Sequence, residues 1–520
     1  MRGRLLLAML LCMAALVAAV AYGSPYAPVV EPVADIEDIW AIEDARQESE
    51  TPLVTLLLNH GAQLGYDAQE NTFYCPIGLE TGDEWPQIHL TAPGAKGVRL
   101  VFVDDYSYDW CSDALRDGYA YQIIAYTDTE YAYAQIVFTG LPIVTMQVEE
   151  EIEYEDVRAQ VSFSAPDCAV QTAALTHRRG AGSRLLSDKK GYKIDFVHGA
   201  DDSGALAQVP RFGTVDNVIL LSGVMDNSLM RDRLSWEMYA MIAGEDEPYG
   251  PRETQYVELF VNDRYEGLYL MMEPVDDGEE LAKVSPDAPM LSSVYRTAQI
   301  DYAGERAYVE NPMREGSIYE LYHAPVQGRE FDALSAYLAL EQLPRGEEYD
   351  AEFERLVMRH VDLPSILRYY LFVQAGGMMD NVFNNMYVIA RQEEGTVRYS
   401  FAPWDMDLTW GRAKDSETGE FSPDLFSFDV VERMLEIDAS GAARRTLREL
   451  WAQLRETAFT QETVERLVES YTQELDASGA YVRDALRWKG DAYFPDGSEI
   501  VLFAAERFAL LDAAFAAYAP

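Results

Sequence analysis

The pattern of apolar residues changes twice along the chain, and this limits the possible folds more than any other feature. From about residue 52 to 165, β-rich runs such as VRLVFVDD and YAYAQIVFTG alternate with turn residues, as in a small antiparallel sandwich or sheet. Strands and helices mix from about 168 to 410, and the chain is mostly helical from about 428 to 520. The sequence therefore predicts an α+β protein: a β-rich accessory domain (52–165), then a larger domain (166–520) with a helical C-terminal part.

One amphipathic stretch and one irregular stretch refine this division. A single helical face carries Val464, Leu467, Val468, Tyr471 and Leu475. We expect this face to be core. Residues 275–315 contain many acids, prolines and glycines without a sustained period, which indicates an insertion or long loop.

Composition limits the partners. The chain has 520 residues, 48% of them hydrophobic, and a formal net charge of −47. Such a surface repels nucleic acid and anionic membranes, and it favours basic partners. The acids are spread along the chain with one local concentration, which we interpret as an acidic linker at 22–51.

The N-terminus has the pattern of a secretory signal. Arg2 and Arg4 precede an apolar run from Leu5 to Val20, and residues 19–21 read Ala-Val-Ala. We predict a signal peptide (1–21) and a secreted or cell-surface protein; an uncleaved N-terminal anchor is the alternative. The rest of the sequence has no apolar run long enough to span a bilayer.

Cysteines and histidines show no metal or hydrolase motif. Beyond the signal only Cys75, Cys111 and Cys168 remain, and they fit no zinc spacing. At most one disulfide is therefore expected, with Cys75–Cys111 as the first candidate, and a buried thiol is the alternative for each cysteine. There is no H-E-x-x-H and no G-x-S-x-G, so neither a zinc nor a serine hydrolase is supported.

A predicted hairpin brings polar residues together. MYVIA and VRYSFA are strand-like runs joined by the turn-forming QEEGT. Pairing about Glu394–Gly395 sets Asn385 opposite Trp404–Asp405 and brings Asp380 to the same end. On a strand, Asp405 and Asp407 of FAPWDMDLTWG would share one face, with Asp405 as the primary ligand.

These residues have the chemistry of a metal site. Carboxylate and amide oxygens are the ligands with which proteins hold Mg²⁺ or Mn²⁺ beside phosphates. The order Asp380-x-x-x-x-Asn385, a hairpin, then Asp405 is the order that protein kinases use. The alternative is that the alternating acids are simply the solvated face of a strand.

A lysine cluster supplies a candidate phosphate contact. The chain has seven lysines, and three of them fall in RRGAGSRLLSDKKGYKIDF (178–196). On a strand, Lys189 and Lys193 would share one face and Lys190 the other, so that one of them could reach a polyphosphate behind the glycine-bearing turn. A solvated basic face is the alternative.

Five ordered blocks resemble one family. They are RRGAGSRLLSDKKGYKIDF, VMDNSLMRDRLSWEMY, VELFVNDRYEGLYLMME, MMDNVFNNMY and FAPWDMDLTWG, and RDALRW in the tail looks similar too. Over about 165–415 the chain resembles the CotH family, the spore-coat protein H-type atypical kinases. The resemblance implies a secreted or surface kinase-like domain that uses ATP and Mg²⁺ or Mn²⁺ to phosphorylate Ser or Thr of proteins. It also implies an altered Gly-rich loop, and G-x-G-x-x-G, H-R-D, D-F-G and A-P-E are absent from the sequence.

The resemblance assigns roles residue by residue. Asp380 matches the catalytic-loop aspartate, Asn385 and Asp405 match the metal ligands, and Asp407 lies beside them. Lys189 matches the nucleotide lysine, with Lys190 as the alternative.

Weaker matches complete the implied nucleotide site. Arg179 and Ser183 match an R-G-x-x-S turn, and Glu273 is a candidate contact for adenine or ribose. Arg231 matches a helix arginine, here followed by Asp232 where asparagine is usual, with a buried acid–arginine pair as its alternative reading. Glu237, on the same helix, could pair with the nucleotide lysine or be a solvated residue.

Three functions remain open on the sequence. The first is the secreted kinase. The second is a non-catalytic coat or cell-surface protein for assembly or adhesion on the same fold, and the third is a metal hydrolase with an Asp-Asp site. The lysine cluster favours the first.

Overall fold

The structure is a computed structural model, and it describes most of the chain. The described residues are 29–31, 35–50, 52–53, 56, 63–79, 97–103, 111–180, 187–199, 202–226, 228–243, 252–274, 293–300, 306–324, 328–393, 395–412, 425–488 and 497–518. The predicted signal peptide and Ser183 lie outside these residues.

Strands dominate the first half of the described chain and helices the second. The strands are β1 Val29–Glu31, β2 Gln47–Glu48, β3 Gly65–Asp67, β4 Thr72–Pro76, β5 Arg99–Phe102, β6 Ala120–Tyr126, β7 Glu130–Thr139, β8 Ile143–Val148, β9 Val157–Ala165, β10 Cys168–Arg179, β11 Gly191–Val197, β12 Ala207–Val209, β13 Gly213–Val215, β14 Asn217–Leu221, β15 Thr254–Val261, β16 Tyr265–Met272, β17 Ser293–Gln299, β18 Tyr308–Glu310, β19 Ser317–His323, β20 Met386–Glu393 and β21 Thr396–Pro403. The helices are α1 Ile36–Asp44, α2 Cys111–Asp117, α3 Arg231–Ile242, α4 Ser335–Glu341, α5 Glu347–His360, α6 Leu363–Gly376, α7 Asp429–Ile437, α8 Ala442–Glu456, α9 Gln461–Ser478, α10 Ala480–Arg487 and α11 Ser498–Ala516. The predicted α+β class is confirmed.

The N-terminal sheet differs from the prediction in two ways. Its order is β1-β5-β6-β7-β4-β3, with β2 beside β7, and it is mixed rather than antiparallel because β1 runs parallel to β5 and β4 parallel to β7. Helix α1 buries Ile39 and Ile42 against Val101 and Ile124 of this sheet. The region read as an acidic linker therefore contributes a helix and strands to this domain.

The predicted domain boundary at 165 is wrong. Strands β8 and β9 do not join the N-terminal sheet: Ile143 of β8 pairs with Glu258 of β15, and Ala165 of β9 pairs with Cys168 of β10. They close a barrel of order β10-β11-β14-β16-β15-β8-β9. Because β7 ends at Thr139, the second domain begins near residue 140, where its barrel starts.

The remainder is a five-stranded sheet covered by helices. Its order is β18-β19-β17-β20-β21, so parts of the stretch interpreted as a long loop, 293–299 and 308–310, are strands of this sheet. The helical C-terminal part begins at α7, as predicted, although α4 to α6 already precede the hairpin. The predicted apolar face of α9 is buried. Among the described residues, no helix combines the length and the apolarity needed to cross a membrane.

The expected disulfide is not formed. Cys75 is a free thiol, fully buried in the N-terminal core, and Cys168 is also free. Burial raises the pKa of the Cys75 thiol well above its ordinary value, because a thiolate loses its hydration there. Cys75 is therefore a core residue.

Helix α10 returns from the helical part to the barrel. Arg483 donates to both carboxylate oxygens of the buried Glu258, at 2.7 and 3.0 Å. The Asp484 carboxylate accepts from the backbone N–H of Leu268 at 2.7 Å, and the Trp488 indole donates to the Glu266 carbonyl at 2.9 Å. The helix is thus hydrogen-bonded along strand β16.

Gly267 makes this close approach possible. Its φ is +105°, and a Cβ atom there would lie 2.1 Å from Oδ1 of Asp484 and 3.1 Å from Nε1 of Trp488. No other residue type fits both the backbone conformation and the space.

Gly267→Ala should therefore lower the free energy of unfolding by about 3 kcal/mol, because the backbone strain of a positive φ adds to the overlap of the new Cβ with Asp484. Gly395→Ala is the control: its φ is +79°, but nothing lies within 4 Å of the added Cβ, so only the strain of about 1 kcal/mol applies. Denaturant unfolding of both variants measures the difference. Equal destabilisation would show that α10 tolerates displacement from β16.

Candidate functional site

Helix α6 sets the position of the loop that carries Asp380. Asp362 precedes the helix and caps the N–H of Ser365 with its side chain, and Gly377 ends the helix in the left-handed conformation (φ +63°). A 3₁₀ turn, Met379–Asn381, follows directly. Asn381 is buried, and its amide donates to the carbonyl of Trp404 at 2.6 Å. This bond ties the loop to the end of strand β21.

Asp380 and Asn385 are in direct contact. The Asn385 amide nitrogen donates to Oδ2 of Asp380 at 2.8 Å, and Asn384 bonds both carboxylate oxygens at 3.2 Å. Because the nitrogen of Asn385 is used in this way, its Oδ1 is the atom suited to a cation. The backbone N–H of Trp404 donates to the Asn385 carbonyl at 2.9 Å, and Met386 pairs with Pro403, so the predicted hairpin register is confirmed.

The two aspartates after the hairpin do not share a strand face. Strand β21 ends at Pro403, and Asp405 has φ +53°, which turns the chain out of the sheet. Asp405 is exposed, whereas Asp407 is half-buried. The prediction of a shared face is wrong because the polar loop leaves the sheet as soon as its pairing with β20 ends.

Helix α3 brings further acids to this loop. Asp232 accepts from the backbone N–H of Met406, between the two loop aspartates, at 3.0 Å. The fully buried Arg231 donates to the Thr409 carbonyl at 2.9 Å and pairs with Asp226 just before the helix. The buried acid–arginine pair considered for Arg231 is thus present, and it fixes the loop against the helix.

The negative charges of these carboxylates repel one another. Burial and then the charge of Asp405 raise the pKa of Asp232 to about 8. Burial, followed by the charges of four neighbouring aspartates (Asp405, Asp232, Asp226 and Asp380), raises the pKa of Asp407 well above its ordinary range. A divalent cation would relieve this repulsion, and carboxylate and amide oxygens suit Mg²⁺ or Mn²⁺.

The repulsion predicts a pH dependence of stability without metal. In the folded chain Asp232 keeps its proton up to a pKa of about 8, whereas in the unfolded chain it loses it near the ordinary value of about 4. In chelator the free energy of unfolding should therefore fall as pH rises from about 4 to about 8. Asp232→Asn should reduce this slope, and saturating Mg²⁺ should abolish most of it. An unchanged slope in Asp232→Asn would contradict the arrangement.

Lys189 and Lys190 lie before strand β11, whereas Lys193 lies on it. The strand begins at Gly191, and Lys189 is completely buried: its Nζ donates to the Leu268 carbonyl at 2.7 Å and to Oδ1 of Asp484 at 2.9 Å. Lys190 is half-buried and bonds the carbonyl of Ser187. The predicted common face of Lys189 and Lys193 is therefore absent.

Arg179 links the basic turn to the acids. Its guanidinium lies 5.5 Å from the ring centre of Trp404, and its charge lowers the pKa of Asp232, against the larger effects that raise it. Gly180 follows with φ +87°, the conformation of a tight turn. The end of β10 thus faces the acidic loop.

The two glutamates named from the sequence have arginine partners. Glu237 accepts from Arg233 on its own helix at 3.3 Å, and the acid beside Lys189 is Asp484, so the pairing considered between Glu237 and Lys189 is not formed. Glu273 follows the end of β16 and lies 3.6 Å from Arg252.

A separate group of possible metal ligands lies on the barrel. Ligand atoms of Asp156, His177 and Asp195 all lie within 4.8 Å of one another. His177 Nδ1 already contacts Asp156 at 2.6 Å, and Lys193 pairs with Asp195 at 2.9 Å. Because these three side chains already have polar partners, the group better suited to a cation is the aspartate cluster, formed by Asp226, Asp232, Asp380, Asp405 and Asp407.

Comparison with known families agrees with the resemblance in the sequence. The family model described as CotH kinase protein matches residues 176–507. The chain belongs to the CotH kinase family. It is therefore a kinase-like protein. No curated protein matches the chain.

Three acidic residues at the site of this CotH protein were not predicted from the sequence as site residues. Asp226, Asp232 and Asp484 lie within the quoted blocks VMDNSLMRDR and RDALRW, but no local spacing links them to Asp407 or Lys189. Asp484 is 295 residues from its lysine. The signal that could have found them is the departure from asparagine at Asp232 and the family likeness of RDALRW.

Proposed function

We propose that this CotH protein is an ATP-dependent protein kinase that acts outside the cytoplasm and transfers the γ-phosphate to Ser or Thr. One observation carries the proposal: burial raises the pKa values of Asp232, Asp380 and Asp407, and the charge of Asp405 raises all three further. A structural core gains nothing from such repulsion, whereas a site for a cation and a polyphosphate needs it.

The residues divide into two groups. Asn385, Asp405 and Asp407 would hold Mg²⁺ or Mn²⁺, which when bound neutralises charge on the transferring phosphoryl group. Lys189 would bind the α- and β-phosphates, with Arg179, Ser183 and Lys190 as further contacts from the turn and Glu273 beside adenine or ribose.

Asp380 is suited to the acceptor hydroxyl. Its amide contacts from Asn384 and Asn385 fix the orientation of the carboxylate, while burial raises its pKa and so favours a proton. In this role Asp380 accepts a hydrogen bond from the Ser or Thr hydroxyl and takes its proton as the oxygen attacks phosphorus.

The direct test is phosphate transfer. The purified protein is incubated with γ-labelled ATP, Mg²⁺ or Mn²⁺ and a basic acceptor such as histone or myelin basic protein, the class that a surface of charge −47 would attract. We expect metal-dependent label on Ser or Thr. MgATP binding without transfer to any acceptor would favour the non-catalytic coat or adhesion protein, and release of free phosphate alone would favour a hydrolase.

A further inference from the structure

A fully buried ion pair joins two distant parts of the chain. Nζ of Lys189 and Oδ1 of Asp484 are 2.9 Å apart, and both side chains have no exposed surface. Lys189 lies two residues before strand β11, and Asp484 lies on helix α10. Helix α10 therefore supplies the acid for this lysine.

Each charge depends on the other. Oδ1 of Asp484 also accepts from the Leu268 N–H at 2.7 Å, while its Oδ2 is buried without a hydrogen-bond partner in the described part of the chain. Removing either partner would leave an uncompensated charge in the interior, which is strongly unfavourable. Because a well-packed apolar pair would be at least as stable, the ion pair needs a reason other than stability.

The position of the pair supplies that reason. Lys189 Nζ lies 4.9 Å from the ring centre of Tyr269. Tyr269 lines a small pocket whose other walls include Asp226 and Asp232, two members of the aspartate cluster. The lysine thus lies beside a residue that lines the same pocket as two of the acids.

We propose that Asp484 is a positioning residue, which orients the Lys189 ammonium toward the phosphates of a bound nucleoside polyphosphate. The inference rests on the proposed function. It assigns to helix α10 the part that the sequence had suggested as possible for Glu237 of α3, which instead bonds Arg233. Gly267 belongs to the same arrangement, since its missing Cβ leaves room for the Asp484 carboxylate.

The test is a double-mutant cycle on the full protein. Affinities for MgATP, MgADP and adenosine are measured for the wild type, Asp484→Asn, Lys189→Met and the double variant. Glu266→Gln is the matched control, because Glu266 also pairs with α10, through Arg487 at 3.4 Å, but does not contact Lys189. Melting temperatures are recorded for every variant.

We expect Asp484→Asn to weaken MgATP and MgADP by about tenfold or more and to leave adenosine unchanged, because a charge-assisted contact to phosphate is lost. Lys189→Met should do the same, and the double variant should bind no more weakly than Lys189→Met. Glu266→Gln should keep wild-type affinity for all three. A purely structural role for Asp484 would lower the melting temperature without this selectivity for phosphate.

Two results would overturn this inference and leave the proposed function standing. The first is wild-type MgATP affinity in Asp484→Asn when Lys189→Met has lost that affinity. The second is a loss of MgATP affinity in the double variant that equals the sum of the two single losses in free energy. If Asp484→Asn does not fold, the comparison of the double variant with Lys189→Met decides. Unchanged affinity in Lys189→Met would overturn both the inference and the assigned role of Lys189. A wild type that does not bind MgATP would overturn the proposed function itself.

Discussion

Asp380→Asn should abolish phosphate transfer and leave MgATP binding within about threefold of the wild type. The substitution keeps the shape and the contacts to Asn384 and Asn385 but removes the only base that the proposed mechanism places at the acceptor hydroxyl. We expect a loss of at least about a thousandfold in kcat, from the lost base and the lost orientation of the hydroxyl.

Single-turnover transfer and equilibrium binding of MgATP, measured on the same preparation, separate the two effects. Asn384→Ala removes one contact to Asp380 and keeps the carboxylate, so it serves as the control and should lose far less activity. If transfer and binding fell together in Asp380→Asn, this aspartate would belong to the metal site instead.

Asp405→Asn and Asp407→Asn should each lower transfer by at least about a hundredfold, because each removes a full charge from the cation. The two variants should differ in their free energy of unfolding when metal is absent. Burial and then the charges of four other aspartates raise the pKa of the half-buried Asp407, whereas Asp405 is exposed. In chelator at neutral pH, Asp407→Asn should therefore raise the free energy of unfolding by about 1 kcal/mol or more, and Asp405→Asn should change it less.

Denaturant unfolding in chelator and in Mg²⁺ tests this difference. Asp128→Asn, at an exposed position of the N-terminal domain, controls for the change of net charge. Full activity in both Asp405→Asn and Asp407→Asn would support the alternative that these acids are simply a solvated surface. A destabilised Asp407→Asn in chelator would contradict the repulsion that the geometry indicates.

Local patterns were sufficient for the parts of the site built from consecutive chain. The alternation in MYVIA and VRYSFA gave the correct hairpin register, so the contact of Asn385 with the start of the aspartate loop could be predicted. The orientation of Asp405 could not, because its left-handed backbone follows from where pairing stops rather than from alternation.

The failures concern contacts made by distant segments. Asp232 reaches the aspartate loop because α3 packs against it, and Asp484 reaches Lys189 because α10 crosses back to the barrel. The residue spacing within either segment does not predict these contacts. The boundary error has the same origin: β8 and β9 look like the strands before them, and only their pairing with β15 and β10 places them in the barrel.

The measurement that bears most directly on the account is a thermal shift of the purified protein with ATP, with and without Mg²⁺ or Mn²⁺. The aspartate cluster repels a polyphosphate unless a cation lies between them. The account predicts a clear rise in melting temperature with ATP and metal together, a smaller rise with metal alone and none with ATP in chelator. A rise of equal size with ATP in chelator, or no rise under any of these conditions, would contradict it.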